Sequence, residues 1–552
     1  MYSIGLDYGT LSVRCLIADT ETGREMAQAV WEYSDGVIDE CLPGTGEKLP
    51  ADFALQNPAD YIRGTELTIR EAVKKAGISP EEIIGIGLDF TACTVVPVTE
   101  EGLPLCMLDR WKKEPHAWVK LWKHHGATPE SEQMTELARE RGEGWLERYG
   151  GAVGSEWMFP KLLEILHKAP EVYRAAKFME AADWMVYELT GVRVCNASGA
   201  GYKACWSQEE GFPSREFFAA LDKEFENVVE DKLYSRVSSV GEKAGTLNRK
   251  WAEKTGLREG IAVAVGIIDA HAAIPALTIT KPGTMGAIMG TSGCYLTLGD
   301  RPAPVKGICG YTFGGIVPGY VGFEAGQGCV GDMLAWLVDN CVPAKYEKEA
   351  REKGISVHKL LTDKASLLKP GETGLLVLDW WNGNRNIIVD YDLTGAVMGF
   401  TMATRPEELY RAFIEGIAFG CRVILEQMEK CGIKINGIIA SGGIAEKNPL
   451  FMQIFADITG REWKLGASAQ SCAQGSAMWG AVAAGKAAGD MADAAARVRI
   501  PGAADNVAAI QSLFAGLILH TLRQKDRRDF ESDLIRIYND YTEKLKNEEK
   551  NG

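Results

Sequence analysis

The hydrophobic pattern of the chain alternates apolar runs of strand length with amphipathic segments of helical length. Near the start, residues 4–7, 13–19 and 83–90 are apolar runs as long as typical strands. Residues 58–76 instead place apolar side chains at helical spacing, and Gly77 follows them as a helix-terminating residue. The pattern therefore predicts two strands, one long helix that ends at Gly77, and a further strand.

Three more segments of the first half have helical spacing, and one has the composition of a buried strand. The helical segments are residues 115–125, 160–167 and 181–189, the last of which is terminated by Thr190-Gly191. Residues 261–268 are almost continuously apolar or small, which is typical of a parallel strand covered on both faces.

The second half repeats this alternation. Residues 279–284 contain Pro and Gly and are the predicted crossover between two domains. The predicted elements that follow are a helix at 406–430, a strand at 435–440 that opens onto residues 441–443, and helices at 448–460 and 475–484. From Asp505 onward the chain is charged and has helical spacing. Alternating strands and helices in both halves favour an α/β protein with two covered sheets.

Two Gly-Thr segments lie in matching contexts, one near the start of each half. Residues 5–14 and residues 286–298 each place a tight glycine turn between two strand-like runs. Glycine lets backbone N–H groups approach an anion closely, and nearby hydroxyls such as those of Thr10, Ser12 and Thr291 supply further donors. Two such turns on two related domains predict that a polyphosphate such as that of ATP is held between them.

Size and charge narrow the classes of function. A chain of 552 residues exceeds what one hydrophobic core supports, so we expect two domains, at residues 1–280 and 281–500, and a helical extension at 501–552. The net charge of −15 argues against nucleic acid as the main partner and against a basic membrane-binding surface. An anionic nucleotide is compatible with it, because local loops and Mg²⁺ can reverse the field inside a cleft.

The cysteines and the apolar stretches predict a cytoplasmic protein. The 13 cysteines are an odd number, scattered without a C-x-x-C pair, which is typical of reduced thiols rather than of a disulfide framework. No signal peptide is expected, because Met1 leads directly into the first strand. The longest apolar stretch, residues 261–280, contains Asp269, His271 and Pro275, so no membrane span is expected either.

Short motifs along the whole chain resemble, in order, those of the FGGY family of sugar kinases, within the actin–hexokinase–heat-shock ATPase superfamily. They lie at residues 5–10, 157–161, 183–184, 189–191, 266–269, 290–293, 441–444 and 448–449. Four further segments most resemble the members that phosphorylate L-ribulose, and these are residues 88–94, 115–125, 200–204 and 378–385. The resemblance implies an α/β fold of two actin/hexokinase-like (ribonuclease H-like) domains, which flank a central cleft for ATP and sugar.

The resemblance also implies a kinase that uses ATP and Mg²⁺ to phosphorylate the terminal hydroxyl of a ketopentose, with O5 of L-ribulose as the first candidate. The partners are then small molecules rather than nucleic acid or a membrane, and a homodimer is left open. The alternatives are a family kinase for D-ribulose, xylulose, ribitol or glycerol, an actin- or chaperone-like ATPase switch, and a sugar-sensing regulator. The sequence favours the last two least, since neither an appended peptide-binding domain nor a basic helix-turn-helix segment is evident.

Asp269 is the predicted catalytic base. A carboxylate at the C-terminal end of a buried strand is held rigidly toward the crevice where α/β proteins bind ligands. Phosphoryl transfer to a hydroxyl needs a base that accepts its proton. The alternative is an Asp that caps the following helix. By the resemblance, Asp7 holds Mg²⁺ and Arg14 neutralises charge on the transferred phosphoryl group; a turn contact and a surface salt bridge are the respective alternatives.

The resemblance places five side chains in the sugar pocket, which are Ala92, Trp122, Lys203, Asp269 and Glu324. Lys203 lies in a Gly-rich and otherwise uncharged segment, where a lysine without a ligand is hard to explain, and Glu324 lies in a Gly-rich segment short of other charges. Trp122 is alternatively a core tryptophan. His124 and His125 invite a metal site, but neighbouring helical residues point apart and no third ligand is spaced suitably, which favours packed or solvated histidines.

The resemblance assigns ATP to residues from both halves. The phosphate-binding residues are Gly9, Thr10, Ser12, Arg14, Gly290 and Thr291, and those near the adenosine are Gly442, Gly443 and Asn448. A Gly-Gly pair at a strand end lets a nucleotide lie against the backbone, and a helix N-terminus favours nearby negative charge. An ordinary turn between a strand and a helix is the alternative.

Overall fold

Two seven-stranded sheets organise the chain. We analysed them in a computed structural model that describes residues 1–234, 236–390, 393–485 and the backbone of 496–500. Helices cover both sheets, so the fold is a two-domain α/β architecture.

The strands are short, and most of the long ones lie in the two large sheets. In chain order they are β1 (Tyr2–Tyr8), β2 (Ser12–Asp19), β3 (Glu25–Glu32), β4 (Leu55–Gln56), β5 (Ile83–Phe90), β6 (Val95–Val98), β7 (Val119–Lys120), β8 (Lys177–Glu180), β9 (Cys195–Asn196), β10 (Val237–Ser238), β11 (Lys243–Thr246), β12 (Ala262–Ala264), β13 (Ile267–Ile268), β14 (Gly283–Met289), β15 (Gly293–Gly299), β16 (Gly310–Phe313), β17 (Val321–Gln327), β18 (Leu376–Leu378), β19 (Ala396–Met398), β20 (Ile435–Ser441), β21 (Trp463–Gly466) and β22 (Ala496–Ile500).

The helices lie on the faces of these sheets and between them. They are α1 (Pro58–Ala76), α2 (Thr128–Arg141), α3 (Met158–Lys168), α4 (Pro170–Ala175), α5 (Ala181–Thr190), α6 (Ala197–Lys203), α7 (Arg215–Leu221), α8 (Val228–Lys232), α9 (Arg249–Thr255), α10 (Asp269–Ala276), α11 (Gly331–Cys341), α12 (Ala344–Glu352), α13 (Val357–Ala365), α14 (Pro406–Lys430), α15 (Gly443–Lys447), α16 (Pro449–Thr459) and α17 (Ser471–Ala483).

The two large sheets share one topology. In the first, β1 and β2 form an antiparallel hairpin and β5 runs parallel to β1, in the order β11-β12-β5-β1-β2-β3 with β13 also on β5. In the second, β14 and β15 form the hairpin and β20 runs parallel to β14, in the order β16-β17-β15-β14-β20-β21-β22. Both predicted Gly-Thr turns are therefore the turns of equivalent hairpins, which confirms that the two domains are structural relatives.

Most of the predicted elements are confirmed. The helix at 58–76 forms as α1 and ends at Gly77, whose φ of 65° is the left-handed conformation that glycine adopts without strain. The helix at 406–430 forms as α14. The predicted helix at 475–484 is α17, but it begins four residues earlier, at Ser471.

The predicted helix at 115–125 is wrong. The segment forms a 3-10 turn at Pro115–Ala117 and then the short strand β7, which pairs with β4 and β6. Strand partners supplied by distant parts of the chain therefore outweigh the helical spacing of this segment. The apolar run 261–268 is also broken, into β12 and β13, with Val265 and Gly266 between them.

Helix α17 lies on the first sheet although it comes from the second half of the chain. It packs against β1, β5 and α10. A Cβ atom at Gly5, Gly85 or Gly87 would overlap a backbone carbonyl oxygen of α17, so these glycines allow the helix to touch the strands. Helix α10 contacts β14 and β15 of the second sheet as well, so α10 and α17 lie between the two sheets.

The predicted helical extension at 501–552 lies outside the described residues. All 13 cysteines lie among the described residues, and none of them is in a disulfide there. Within the described residues, no helix combines the length and the apolar composition needed to cross a membrane.

Candidate active site

Three aspartates meet at one edge of the first sheet. Asp7 on β1 is in register with Asp89 on the parallel strand β5, and Asp89 is in register with Ile267 on β13. Asp269 follows β13 directly as the first residue of α10. Because β1, β5 and β13 run parallel, their carboxyl ends bring all three side chains to the same edge, which is where open α/β sheets bind ligands.

Asp269 is held at the start of α10 by a local contact. Its Oδ1 accepts a hydrogen bond from the backbone N–H of Ala270 at 2.7 Å. Burial raises the pKa of Asp269 to about 7, against the hydrogen bond from Ala270 and with further contributions from the charges of Asp7 and Glu324. A carboxyl group with a pKa near neutrality suits a general base, because it accepts a proton readily at the pH of the cell. The cap position of α10 is occupied by Ile268, and no side chain makes a capping hydrogen bond there, so Asp269 is not the helix cap that the alternative required.

Asp89 was not singled out from the sequence. Its side chain is fully buried; Oδ2 accepts a hydrogen bond from Ser476 on α17 at 2.6 Å, and Oδ1 has no hydrogen-bond partner. Burial, and next the charge of Asp7, raise the pKa of Asp89 well above its ordinary value. The signal available in the sequence was an acidic residue near the end of the apolar run 83–90.

The first Gly-Thr turn joins the aspartate edge to the tryptophan predicted for the sugar pocket. Arg14 Nη1 lies 3.0 Å from Asp7 Oδ2, so the salt bridge of Arg14 is made within the site rather than at a distant surface. The indole N–H of Trp122 donates to Thr10 Oγ1 at 3.0 Å, and Gln56 Nε2 donates to the carbonyl oxygen of Thr10 at 2.7 Å. A residue predicted to bind phosphate and one predicted to bind sugar are thus in direct contact.

Lys203 and Glu324 form a buried ion pair between the two halves of the chain. Lys203 ends α6, Glu324 lies on β17, and Lys203 Nζ is 3.1 Å from Glu324 Oε1. Only 2% of Lys203 and 4% of Glu324 are exposed. The sequence argument that Lys203 requires a ligand is therefore not supported, because its pairing with Glu324 accounts for the buried charge.

Two further groups surround the Glu324 carboxylate. His271 Nε2 lies 3.2 Å from Glu324 Oε2, and its Nδ1 is 2.8 Å from the hydroxyl oxygen of Ser198. Arg385 Nη2 lies 3.6 Å from Glu324 Oε1. Although burial opposes ionisation, the Lys203 charge and the His271 hydrogen bond hold the pKa of Glu324 well below its usual range. His271 and Arg385 were not named as site residues from the sequence, and only their places next to matched motifs pointed to them.

The second Gly-Thr turn lies against the start of α11. The N–H of Val330 donates to the carbonyl oxygen of Thr291 at 2.8 Å, and the N–H of Gly331 donates to that of Gly290 at 3.0 Å. Gly290 and Thr291 are themselves exposed. The turn therefore stays exposed although its two carbonyl oxygens are hydrogen-bonded to the start of α11.

The Gly442-Gly443 turn lies beside the same hairpin. Gly442 has a φ of 106°, and a Cβ atom there would overlap the carbonyl oxygen of Met289, so only glycine fits. Gly443 is exposed and has open space where a side chain would be. Asn448 is buried; its Oδ1 accepts from the N–H of Phe451 at 3.0 Å, so it caps α16.

The remaining predicted residues lie around these groups. Ala92 is half-buried after β5, close to the Cys93 turn. His124 is fully buried and lies 2.9 Å from Glu164 Oε2, whereas the neighbouring His125 is exposed. His124 therefore belongs to a packed ionic cluster.

The aspartates at this edge of the first sheet fit an Mg²⁺ ion that is held mainly by water and substrate phosphates. Among the described residues, no group of three or more His, Cys, Asp or Glu side chains is placed to enclose a metal ion. Mg²⁺ is usually held by one or two carboxylates together with water and substrate phosphates, not by a closed protein cage. Asp7 would offer one such carboxylate at this edge, with Asp89 beside it in register on β5.

Comparison with known proteins gives consistent matches over the chain. Residues 2–275 match the N-terminal domain of the FGGY family of carbohydrate kinases, and residues 285–484 match the C-terminal domain of that family. A ribulokinase from Bacillus licheniformis is 52% identical over 86% of each chain, and a ribulokinase from Halalkalibacterium halodurans is 50% identical over 88% of this chain and 87% of its own.

Solved structures share the fold at lower identity. A ligand-bound xylulose kinase from Lactobacillus acidophilus superposes with a TM-score of 0.77 at 18% identity, covering 95% of this chain and 99% of its own. Glycerol kinase from Plasmodium falciparum superposes with a TM-score of 0.74 at 16% identity, covering 95% of this chain and 99% of its own. At such identities the likeness supports the two-domain fold alone.

Proposed function

The chain belongs to the FGGY family of carbohydrate kinases, and from that premise we propose that it phosphorylates ribulose with ATP. The observation that carries the proposal is the identity of about half of all residues to proteins named ribulokinase, over most of both chains. Six such relatives are 47–52% identical to it. The finer assignment is transfer to O5 of L-ribulose, as a step in L-arabinose breakdown.

The sugar is proposed to bind where the two halves meet. Lys203 and Glu324 offer charged groups that hydrogen-bond to hydroxyls, and His271 and Ser198 fix the orientation of the Glu324 carboxylate. Trp122 supplies an aromatic face for the C–H surface of a sugar, and Ala92 lies at the edge of the pocket. Asp269 is electrostatically coupled to both Glu324 and Lys203, which supports its place beside the bound sugar.

Asp269 is proposed to accept the proton of the attacking hydroxyl. Its carboxylate stands at the end of a rigid strand, and its pKa of about 7 means that it is largely ionised above neutral pH. As the hydroxyl oxygen forms its bond to the γ-phosphorus of ATP, the bond from that phosphorus to the β–γ bridging oxygen breaks, ADP leaves with that oxygen, and the hydroxyl proton moves to Asp269. Phosphoryl transfer otherwise depends on positioning and on stabilisation of charge.

The two Gly-Thr turns are proposed to hold the phosphates of ATP from opposite sides. Gly290 and Thr291, which are exposed, would hold them from the second sheet. Gly9, Thr10, Ser12 and Arg14 would hold them from the first sheet. The open space at Gly443 and the close approach at Gly442 support a nucleotide lying against that turn, with Asn448 as the cap of the following helix. Asp7 would hold Mg²⁺, which neutralises phosphate charge when it is bound.

The proposed setting is the cytoplasm, since 13 cysteines without a disulfide among the described residues are typical of a reducing compartment. A homodimer is compatible with the proposal and is not required by it.

A coupled assay of ADP release with Mg-ATP tests the proposal. L-ribulose, D-ribulose, D-xylulose, L-xylulose, ribitol and glycerol are compared with a control that contains no sugar. We expect L-ribulose to give the highest kcat/KM and the control to give little ADP. Turnover led by another sugar would reassign the substrate within the family, and equal ADP release with and without sugar would remove the kinase assignment.

A further inference from the structure

Lys161 on α3 is a buried lysine whose ammonium group contacts backbone only. Its side chain is fully buried. Nζ donates to the carbonyl oxygen of Cys93 at 2.7 Å and to that of Leu121 at 2.9 Å, with the carbonyl of Lys120 at 3.5 Å. One ammonium group therefore joins two chain segments that are distant in sequence.

These two segments carry the walls of the proposed sugar pocket. Cys93 directly follows Ala92, and Leu121 directly precedes Trp122. Cys93 has a φ of 48°, a left-handed conformation that residues other than glycine seldom adopt and that persists only where the surroundings enforce it. The hydrogen bond from Lys161 to the Cys93 carbonyl is such a constraint, because it fixes the peptide that follows the strained residue.

The surroundings of Lys161 differ from those of the other buried lysines nearby. Lys120 is paired with Glu164 at 3.1 Å, and Lys203 with Glu324 at 3.1 Å. Lys161 has no carboxylate within ion-pair distance among the described residues, and burial lowers its pKa to about 8. A buried ammonium without a counter-ion is costly, and the backbone carbonyl oxygens around Lys161 Nζ are the groups that offset this cost.

We propose that Lys161 is a positioning residue for sugar binding, which sets the distance and orientation between the Ala92 wall and the Trp122 wall of the pocket. The inference deepens the proposed function and rests on it for the identity of the pocket. Lys161 itself does not reach the sugar; it acts through the backbone of residues 93 and 121.

The chain offers a matched control for this proposal. Lys232 on α8 also donates to three backbone carbonyl oxygens, those of Tyr173 at 2.6 Å, Arg174 at 3.2 Å and Ala176 at 3.2 Å. These carbonyls lie in the last turn of α4 and directly after it, and they belong to neither pocket wall. Lys232→Met therefore removes the same type of contact as Lys161→Met, but at a place unconnected with the proposed pocket.

The experiment compares steady-state kinetics of the full-length wild type, Lys161→Met and Lys232→Met, with the sugar that the wild type turns over best. We expect Lys161→Met to raise KM for the sugar by about 10- to 100-fold, as misplaced binding groups do, while KM for ATP changes by less than about threefold. Lys232→Met is expected to keep both KM values. An unchanged sugar KM in Lys161→Met, or equal rises in both variants, would overturn the proposal.

A second measurement separates this proposal from the kinase assignment. Hydrogen exchange of the backbone amides at 91–94 and 120–124, without any sugar, should be faster in Lys161→Met than in the wild type and unchanged in Lys232→Met. Failure of the wild type to phosphorylate any sugar would refute the proposed function, whereas unchanged exchange at both segments would refute the role of Lys161. If Lys161→Met does not fold, Lys161→Arg keeps the cation but not the spacing, and the same selective rise in sugar KM is expected.

Discussion

Replacement of Asp269 by Asn should abolish turnover and stabilise the protein at the same time. The pKa of Asp269 rises from an ordinary value of 3.8 to about 7, so the native state holds this proton more tightly than the unfolded chain does. Its stabilising contribution is therefore present below pH 4 and is lost as the pH rises through 7. A difference of about 3 pKa values corresponds to about 4 kcal/mol of free energy of unfolding.

The amide of Asn cannot ionise, so Asp269→Asn avoids this loss. The free energy of unfolding of Asp269→Asn should exceed that of the wild type only slightly at pH 4, and the difference should grow by about 2.5 kcal/mol between pH 5 and pH 8. That corresponds to a rise of roughly 5–10 °C in the difference between the two melting temperatures, for a domain of about 200 residues. Turnover should fall by about 10²- to 10⁴-fold, since general-base catalysis is typically worth that much.

The assay combines thermal unfolding at pH 5 and pH 8 with kcat/KM for the sugar from pH 5.5 to 9. In the wild type, kcat/KM should increase about tenfold per pH unit below 7 and level off above it, because the ionised carboxylate is the base. Asp379→Asn is the control. Burial also raises the pKa of Asp379 to about 7, but this residue lies in the second half, where Gln327 donates to its carboxylate. The control should show a similar gain in stability at pH 8 and keep its turnover.

Two results would contradict this reasoning. A difference in stability between Asp269→Asn and the wild type that does not change with pH would show that Asp269 is not ionised at a cost in the native state. Retention of more than about a tenth of the wild-type rate would remove Asp269 as the general base.

Three further predictions concern contacts between parts of the site. Glu324→Gln should cost about 3–5 kcal/mol because it leaves the buried Lys203 without a carboxylate, whereas Lys203→Met should cost less because His271 and Arg385 remain beside Glu324. The double variant should lose clearly less than the sum of the two, and additive losses in a thermal double-mutant cycle would disprove the pairing. Trp122→Phe removes the hydrogen-bond donor to Thr10 and should raise KM for ATP up to about fivefold, which is equivalent to about 1 kcal/mol. An unchanged KM for ATP in steady-state assays would contradict a link between this sugar-pocket residue and the phosphate-binding turn. Gly87→Ala places a methyl group against the backbone of α17 and should cost about 1–3 kcal/mol, whereas an unchanged melting temperature would show that α17 moves freely.

Local sequence signals were sufficient where one segment decides its own structure. The helix at 58–76 has its apolar spacing, a proline in its first turn and Gly77 after its last residue, and it forms over those residues. The hairpins at the two Gly-Thr turns likewise follow from apolar runs on both sides of a glycine. The resemblance to a known family supplied the candidate site residues, because the motifs of that family match short segments along the whole chain.

The sequence by itself thus determined the α/β class, the repeated hairpins and the identity of Asp7, Asp269, Lys203 and Glu324 as candidates. The tertiary structure decided which of them meet. Lys203 and Glu324 are 121 positions apart and pair across the two halves, and Ser476 reaches Asp89 from 387 positions away. The tertiary structure also overrides the helical spacing of 115–125. This segment forms a 3-10 turn and the short strand β7, because β4 and β6 pair with it, and no local pattern reveals those partners. The physical reason is common to all three cases: burial, ion pairing and strand pairing depend on which surfaces come together, and helical or strand spacing reports only the segment that carries it.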